Sequence, residues 1–227
     1  MSTDNAPGPS EAGDIRRRLL DQAARVLAEQ GPAALSARRL VRAVGASTMA
    51  VYTHFGSMPS LVRELMREGV DRFRARLAGV AQDADPVTEL AALCAVYQEF
   101  VRAEPHLYAV MFGGSPLAGF ELSAEDRDMG TGLLEAPRAA IRRCMAAGRF
   151  RDGDSRLLVR QLWCQLHGLA QLDRARFLTA APYGYGPDEV LPALLRDFAV
   201  GAGDSPREAA ASVAAAFPEA ARDPAGG

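Results

Sequence analysis

The chain has 227 residues, 48 % of them hydrophobic, and a formal net charge of −2, so it is long enough to bury a core in one or two domains. It contains no run of about 18 apolar residues, which argues against a membrane-spanning helix. Its polar, acidic start lacks the basic-then-apolar order of a signal peptide. We expect residues 1–13 to form a disordered tail.

Three cysteines, Cys94, Cys144 and Cys164, are widely spaced and lie among apolar residues. An odd number in this setting predicts reduced, buried thiols in a cytoplasmic protein rather than a disulfide framework. The sequence has no CxxC pair, no HExxH motif and only three histidines. We therefore expect neither a structural metal nor a cofactor.

Charge is distributed unevenly along the chain. Residues 15–79 hold twelve arginines against five acids, whereas residues 80–227 hold fourteen arginines against twenty acids. A basic segment joined to an acidic body indicates that only the first part meets a polyanion.

Helical periodicity begins near residue 14. Asp14 is placed to cap a first helix, whose apolar residues recur at helical spacing until Gly31 and Pro32 end it. Ser36 is a plausible N-cap for a second helix. Gly45 then occupies the position where a left-handed turn residue is needed.

The letters TMAVYTHF predict a third, short helix. Ser47 can cap this helix and Gly56 can end it. Ser57 can cap a fourth helix, which we expect to connect the first domain to the rest of the chain over residues 59–80.

Three short helices with a glycine-containing turn between the second and third predict a helix-turn-helix, which we assign to residues 14–58. Val51 and Phe55 point to the core, and the opposite face of the third helix carries small or uncharged side chains that suit a major groove. Tyr52 and His54 can donate to phosphates. The predicted DNA-binding residues are Arg38, Ser47, Thr48, Met49, Ala50, Tyr52, Thr53 and His54.

The segment AQDADP marks a boundary near residue 81, and further helical patterns follow it. We expect a loop at 113–122, a helix from about 123 to 147 that Pro137 bends or splits, and a loop at 179–189. Residues 81–202 are predicted to form a helical ligand-binding and dimerisation domain. Residues 203–227 are predicted to be a frayed, Ala-rich helix followed by disorder. No strand signal is present, so the predicted fold class is all-α.

Two apolar sets in the second domain are candidate sites. Aromatic and other apolar side chains with few polar groups suit a small, largely apolar effector; these are Tyr97, Phe100, Tyr108, Met111, Phe112, Trp163 and His167. Two long apolar helices at about 154–173 and 187–202 suit an intersubunit four-helix bundle. Its predicted dimer-interface residues are Leu158, Leu162, Leu166, Leu169, Leu191, Leu194, Leu195 and Phe198.

The stretch LLDQAARVLAEQGPAALSARRLVRAVGASTMAVYTHFGSMPSLVRELM resembles the DNA-binding domain of TetR-family transcriptional regulators. The resemblance covers roughly residues 15–70 and depends on the EQG, VGAS and VYTHFGS motifs. Met58 stands where the family often has lysine, and Thr48 stands where relatives often have a basic residue. Farther along, QLWCQLHGLAQLD resembles the Trp-His-Gly segment of one C-terminal subgroup, through Trp163, His167 and Gly168.

The resemblance implies a cytoplasmic homodimer, usually a repressor, that binds a palindromic operator in double-stranded DNA. It also implies an all-helical C-terminal domain that holds a small-molecule effector. Binding of the effector would spread the two DNA-reading heads, so that the dimer releases its operator.

Two other classes of function fit these residues less well. An enzyme is disfavoured, because the sequence shows no catalytic triad, no paired acids and no phosphate-binding loop. A helical ligand-binding or interaction module without DNA binding remains the alternative, because trios of helices with this shape also occur in proteins that bind no DNA. The predicted role is that of a repressor, and an activator is the open alternative because the DNA-binding head does not reveal the sign of regulation.

Overall fold

A computed structural model describes residues 9–112, 124–182 and 184–218. In these ranges the regular secondary structure is entirely helical, so the predicted all-α class is confirmed. None of the described helices is both long and apolar enough to cross a membrane. The α-helices are α1 (Pro9–Gln30), α2 (Ala37–Val44), α3 (Thr48–Phe55), α4 (Met58–Ala78), α5 (Pro86–Ala103), α6 (Pro105–Phe112), α7 (Ala124–Thr131), α8 (Glu135–Ala146), α9 (Ser155–Arg174), α10 (Pro187–Ala202) and α11 (Pro206–Ala216), with 3-10 turns at Pro32–Ala34 and Gly132–Leu134.

The chain divides into two compact units that do not follow the predicted order of domains. The described residues of the first unit are 9–72, 104–112 and 124–130, and those of the second unit are 73–103, 131–182 and 184–218. Helix α6 therefore belongs to the same unit as the helix-turn-helix, whereas the sequence analysis placed it in the second domain.

The apolar core of the first unit is shared by α1, α2, α3, the first half of α4 and α6. Helix α1 packs against both α2 and α6. The buried members of this core are Leu19, Leu20, Ala23, Ala24, Val26, Leu27, Leu40, Val41, Val44, Val51, Phe55, Leu61, Val62, Leu65, Met66, Leu107 and Val110.

Arg72 also joins segments of the first unit that are distant in sequence. Its Nε donates to Glu68 on the same helix at 2.8 Å, and its Nη1 donates to Glu104 at 3.2 Å. Its Nη2 lies 3.5 Å from Asp21 on α1. One guanidinium thus links α1, α4 and the residue that precedes α6.

The start of α1 differs from the prediction. The helix begins at Pro9, so Asp14 lies inside it and does not cap it, and the predicted disordered tail is helical from residue 9. The Asp14 carboxylate instead pairs with Arg17 at 2.8 Å and with Arg18 at 3.8 Å. Pairs at these i,i+3 and i,i+4 spacings stabilise a helix.

The predicted boundaries of α2 and α3 are confirmed. Ser36 Oγ accepts a hydrogen bond from the Arg39 N–H at 3.4 Å. Gly45 has φ 71° and Gly56 has φ 73°, in the left-handed region that favours glycine. Ser47 occupies the N-cap position of α3, but its side chain makes no capping hydrogen bond.

In the second unit, α5 is the central helix and packs against α8, α9, α10 and α11. A helix that is surrounded in this way needs apolar residues on almost every side. The buried residues of α5 are Pro86, Val87, Leu90, Ala91, Leu93, Cys94, Tyr97, Gln98, Phe100 and Val101.

The helix predicted over 123–147 is divided into α7 and α8 by a 3-10 turn at Gly132–Leu134. Pro137 lies in the first turn of α8, where a missing N–H costs no hydrogen bond. The break therefore precedes the proline. The loop predicted at 113–122 lies outside the described residues.

The C-terminal segment differs most from the prediction. Residues 206–216 form helix α11, whose N-cap Ser205 accepts a hydrogen bond from the Glu208 N–H at 3.2 Å. Helix α11 packs against α5 and α10 and buries Ala209, Ser212 and Val213. The segment is part of the core and not a frayed end. Residues 219–227 lie outside the described part of the chain.

A largely buried ionic network holds α11 in place. Arg149 donates to both oxygens of Asp204, at 2.7 and 2.6 Å, and to Asp85 at 2.8 Å. Ser212 on α11 accepts from Arg149 at 3.0 Å and also donates to Asp85. The Asp204 side chain is only 1 % exposed. This bidentate pair joins the loop between α8 and α9 to the loop between α10 and α11.

Candidate nucleic-acid interface and effector region

Helix α3 has the dimensions of a DNA-reading helix. Its eight residues give a length of about 12 Å, close to the width of a major groove. Val51 is fully buried and Phe55 nearly so, whereas Tyr52 is 50 % and Met49 69 % exposed. One side of α3 therefore anchors the helix, and the other side faces solvent.

The predicted DNA-binding residues are accessible at the surface of the first unit. The His54 ring also packs edge-on against Phe55, with 6.1 Å between ring centroids. Which of these residues contact DNA stays a prediction. The exposed residues are Arg38, Ser47, Thr48, Met49, Tyr52 and Thr53, and the half-buried ones are Ala50 and His54.

Helix α2 contributes three cations beside α3. Arg38, Arg39 and Arg42 are exposed. Their guanidinium groups make no hydrogen bond or ion pair with any residue that the structure describes. Their full charge is thus available to phosphates, and neutralising phosphates is the main source of DNA affinity. Arg39 and Arg42 were not among the predicted site residues.

Two arginines of α1 stabilise the first unit itself. Arg16 pairs with Glu64 of α4, and its guanidinium carbon lies 5.5 Å from the centre of the Phe55 ring. Arg18 donates to the Val44 carbonyl at 2.9 Å, at the C-terminal end of α2. These contacts tie α1 to the helices that flank the turn.

The seven predicted effector-binding residues do not lie in one unit. Tyr108, Met111 and Phe112 are on α6 in the first unit. The other four, Tyr97, Phe100, Trp163 and His167, are on α5 and α9 in the second unit.

An aromatic cluster in the second unit includes Phe73, which the sequence analysis missed. Its ring packs edge-on to Tyr97, at 5.7 Å between centroids, and lies 4.8 Å from Phe100. Phe73 belongs to the apolar stripe of α4, so nothing in its local sequence separates it from ordinary core residues. Its place beside Tyr97 comes from the packing of α4 against α5.

His167 is half-buried and has protein groups next to both ring nitrogens. Its Nδ1 lies 3.5 Å from the Tyr97 hydroxyl, and its Nε2 lies 3.3 Å from the Gln171 amide nitrogen. The Trp163 ring lies 5.8 Å away, between centroids. Burial lowers the pKa of His167 below its usual value, because burial penalises the charged imidazolium.

We expect the histidine at 167 to make the protein less stable in acid. Because the folded state binds this proton less readily than the unfolded chain, the free energy of unfolding falls as the pH drops through the unfolded pKa of about 6.5. Between about pH 7 and pH 5, the variant His167→Gln should lose less free energy of unfolding than the wild type, as measured by urea denaturation. The control is the same replacement at His106, whose side chain is 42 % exposed. An equal loss in wild type and His167→Gln would contradict the role of burial.

Gln98 is a second polar group of the α5 core that the sequence analysis did not single out. It is 3 % exposed, and neither its Oε1 nor its Nε2 has a hydrogen-bond partner among the described residues. Leaving such a group unpaired costs about 1–3 kcal/mol, and buried polar groups in native proteins are usually paired with protein, water or a ligand. The sequence signal that could have pointed to Gln98 is a single glutamine in a largely apolar helix.

Whether the predicted dimer-interface residues contact a second chain stays a prediction. Leu158 and Leu194 are half-buried. The other six predicted residues are buried within the single chain: Leu162, Leu166, Leu169, Leu191, Leu195 and Phe198. The reason is helical periodicity, because these leucines form the inner faces of α9 and α10, which pack on each other.

Cys164 also differs from the prediction, because it is exposed on the outer face of α9. Cys94 and Cys144 are buried as expected. Burial raises the pKa of each of these two thiols to about 12.

Comparison with known proteins identifies the family. The domain described as "Bacterial regulatory proteins, tetR family" matches residues 19–65, which include α2 and α3. The domain described as "Tetracyclin repressor-like, C-terminal domain" matches residues 90–198. The chain belongs to the TetR family. The helix-turn-helix described above is thus the DNA-binding element of a TetR-family regulator, and α5 to α10 correspond to the family's C-terminal domain.

Several solved structures share this fold. A protein of unknown function from Rhodococcus sp. RHA1 is 26 % identical, covers 89 % of this chain and 100 % of its own, and has a TM-score of 0.69. The TetR-family regulator PfmR from Thermus thermophilus is 24 % identical, with coverages of 83 % and 100 % and a TM-score of 0.66.

AibR in complex with isovaleryl coenzyme A and operator DNA is 18 % identical, with coverages of 80 % and 96 % and a TM-score of 0.63. At this identity the likeness concerns the fold alone. No curated protein matches the chain.

Proposed function

We propose that this TetR-family chain is a repressor that binds a palindromic operator as a homodimer and leaves it when a small, largely apolar effector binds. The observation that carries the proposal is the solvent-facing side of α3, with Tyr52 and Met49 exposed. The unpaired cations Arg38, Arg39 and Arg42 stand beside it. This arrangement suits phosphate contacts that position α3 and base contacts that give specificity.

A homodimer explains how so short a helix reaches useful affinity. Two copies related by a two-fold axis present two α3 helices to half-sites one helical turn apart, about 34–36 Å. The operator is then a palindrome because it mirrors the symmetry of the protein. Each copy contributes the same phosphate contacts, and both sets of contacts must break before the dimer leaves the DNA.

The proposed effector site involves the aromatic cluster and the polar groups near it. Phe73, Tyr97 and Phe100 offer apolar surface, and the two ring nitrogens of His167 are next to Tyr97 and Gln171. The Trp-His-Gly subgroup that the α9 sequence resembles fits a role for this helix in effector binding. The buried Gln98 amide would pair with a neutral group that both accepts and donates a hydrogen bond.

Release from DNA requires that the effector favour the conformer that does not bind DNA. A coupling of about 100-fold corresponds to roughly 3 kcal/mol of differential affinity. An effector that bound both conformers equally would not change DNA binding.

The test is binding of the purified full chain to the DNA just upstream of its own gene, at about 50 and 200 mM salt. If the three arginines of α2 in each of two heads neutralise phosphates, the affinity is expected to fall about 10³-fold between these concentrations. Binding that is absent, or insensitive to salt, would favour the alternative of a helical interaction module without DNA binding.

A further inference from the structure

Helix α3 lacks the side chains that pair most specifically with guanine, adenine or cytosine. Its eight residues, TMAVYTHF, include no arginine, lysine, asparagine, glutamine, aspartate or glutamate. In the major groove, arginine and lysine pair with guanine, asparagine and glutamine with adenine, and the carboxylates with cytosine. The base edges that α3 reads are therefore limited to those that an apolar or hydroxyl side chain can recognise.

Met49 is the main apolar group on the solvent-facing side of α3. Among the described residues of the first unit, no large hydrophobic side chain is more exposed than Met49, at 69 %. The neighbouring Ala50 is half-buried and packs against the core. In a helix-turn-helix, the N-terminal residues of the second helix contact the base edges. Met49, in the first turn of α3, is thus placed to enter the groove with most of its side chain.

Thr53 lies on the same side of the helix as Met49. Residues four positions apart are neighbours on a helix surface, and a rotation of about 100° per residue places both nearly opposite Val51 and Phe55. Thr53 is exposed, and its side chain carries a methyl group as well as a hydroxyl. The two side chains therefore form one apolar strip about 6 Å long.

The apolar group that the major groove offers to such a strip is the C5 methyl of thymine. We infer that Met49 selects thymine by packing against this methyl group, and that Thr53 extends the same contact. The inference rests on the proposed function, because it names the chemical group that α3 recognises in the operator. Each half-site should then present a thymine methyl to the first turn of α3.

The charged and ring-nitrogen donors of the head do not compete with this contact. Arg38, Arg39 and Arg42 stand on α2, where phosphates are their proposed partners. His54 lies in the last turn of α3 and packs against Phe55. Recognition of DNA shape alone would give sequence preference without base contacts, and it would not require an apolar side chain at position 49.

Deoxyuridine lacks only the methyl group of thymine and therefore tests this contact directly. Footprinting with the full chain first narrows the DNA upstream of the gene to the protected duplex. Each thymine is then replaced by deoxyuridine at symmetric positions of both half-sites. Burial of one methyl group corresponds to about fourfold in affinity, so one symmetric pair should lower the affinity about 15-fold. Thymines that α3 does not contact should each change the affinity by less than about twofold.

Substitutions at position 49 assign the effect to Met49. Met49→Ala should bind the unmodified duplex more weakly and should distinguish thymine from deoxyuridine by less than about twofold at that position. Met49→Leu keeps an apolar side chain of similar size and should retain the distinction. Both variants should fold, because Met49 lies outside the apolar core of the first unit. Discrimination that survives unchanged in Met49→Ala would overturn the inference.

The same titrations separate the inference from the proposed function. Salt-dependent binding to the upstream DNA with no position sensitive to deoxyuridine would leave the proposed function intact and overturn only the thymine contact. Recognition through DNA shape would then account for the sequence preference. Absence of salt-dependent binding would overturn the proposed function and the thymine contact together.

Discussion

Replacing Tyr52 and His54 together by alanine is expected to lower the affinity for operator DNA by at least about 100-fold. Each side chain is proposed to donate to a phosphate, and a hydrogen bond to a charged group contributes about 1.5–3 kcal/mol. The loss occurs in both heads of a dimer. Fluorescence anisotropy with the DNA upstream of the gene measures the loss.

Matched replacements distinguish this effect from general damage. Tyr185 is 60 % exposed in the second unit, and the side chain of His106 on α6 is 42 % exposed. Tyr185→Ala with His106→Ala removes the same side-chain types away from α3. This control should bind DNA as the wild type does. Unchanged DNA affinity in the Tyr52 and His54 double variant, with the fold intact, would contradict the proposed reading face.

Asp204→Ala is expected to lower the free energy of unfolding by about 3–5 kcal/mol. The change leaves the guanidinium of Arg149 without its bidentate partner in a largely buried position, and breaking a buried ion pair from one side has this magnitude. For a chain of this size the melting temperature should fall by roughly 10 °C. Urea denaturation, analysed as a single transition, measures the free energy of unfolding.

Asp152→Ala provides the control, because it removes an exposed aspartate from the same unit and should change stability by less than about 0.5 kcal/mol. An equal effect of the two replacements would show that the Arg149 network does not hold α11. Ser212→Ala should have an intermediate effect, since it removes hydrogen bonds but no charge.

The network also predicts acid sensitivity. Burial opposes the charge of Asp85, but hydrogen bonds from Ser212 and the Val87 N–H, together with Arg149, keep the pKa of Asp85 below its usual value. Its contribution to stability is therefore complete above the unfolded pKa of about 3.9 and is lost as the pH falls through the lower folded pKa. The Asp204→Ala variant should unfold at a higher pH than the wild type.

The helix-turn-helix could be predicted because its signals are local. Ser36, Gly45 and Gly56 act on their own turns of the chain, and the spacing of Val51 and Phe55 is enough to place one side of α3 in the core. Exposure of the remaining α3 residues follows directly. Local capping and periodicity therefore determine both the fold of the head and its solvent-facing residues.

The features that escaped prediction depend on contacts between distant segments. An Ala-rich C-terminal stretch has little signal of its own, and α11 is ordered by Arg149 and Asp85, more than sixty residues earlier in the chain. The leucines of α9 could not be divided into inner and outer faces without knowing which helices cover them. The sequence marks Gln98 as a glutamine in an apolar helix, but only the packing around α5 shows that its amide lacks a partner among the described residues.

Helix α6 belongs to the first unit although it follows α5 in the chain, and this order affects how the regulator could be re-engineered. Leu107 and Val110 complete the core around α1, and Glu104 reaches Arg72. A fragment cut after α4 would expose apolar surface on α1 and leave Arg72 without one of its acids. Transplanting the reading head onto another sensor therefore takes three crossover points in the gene, near residues 72, 103 and 130.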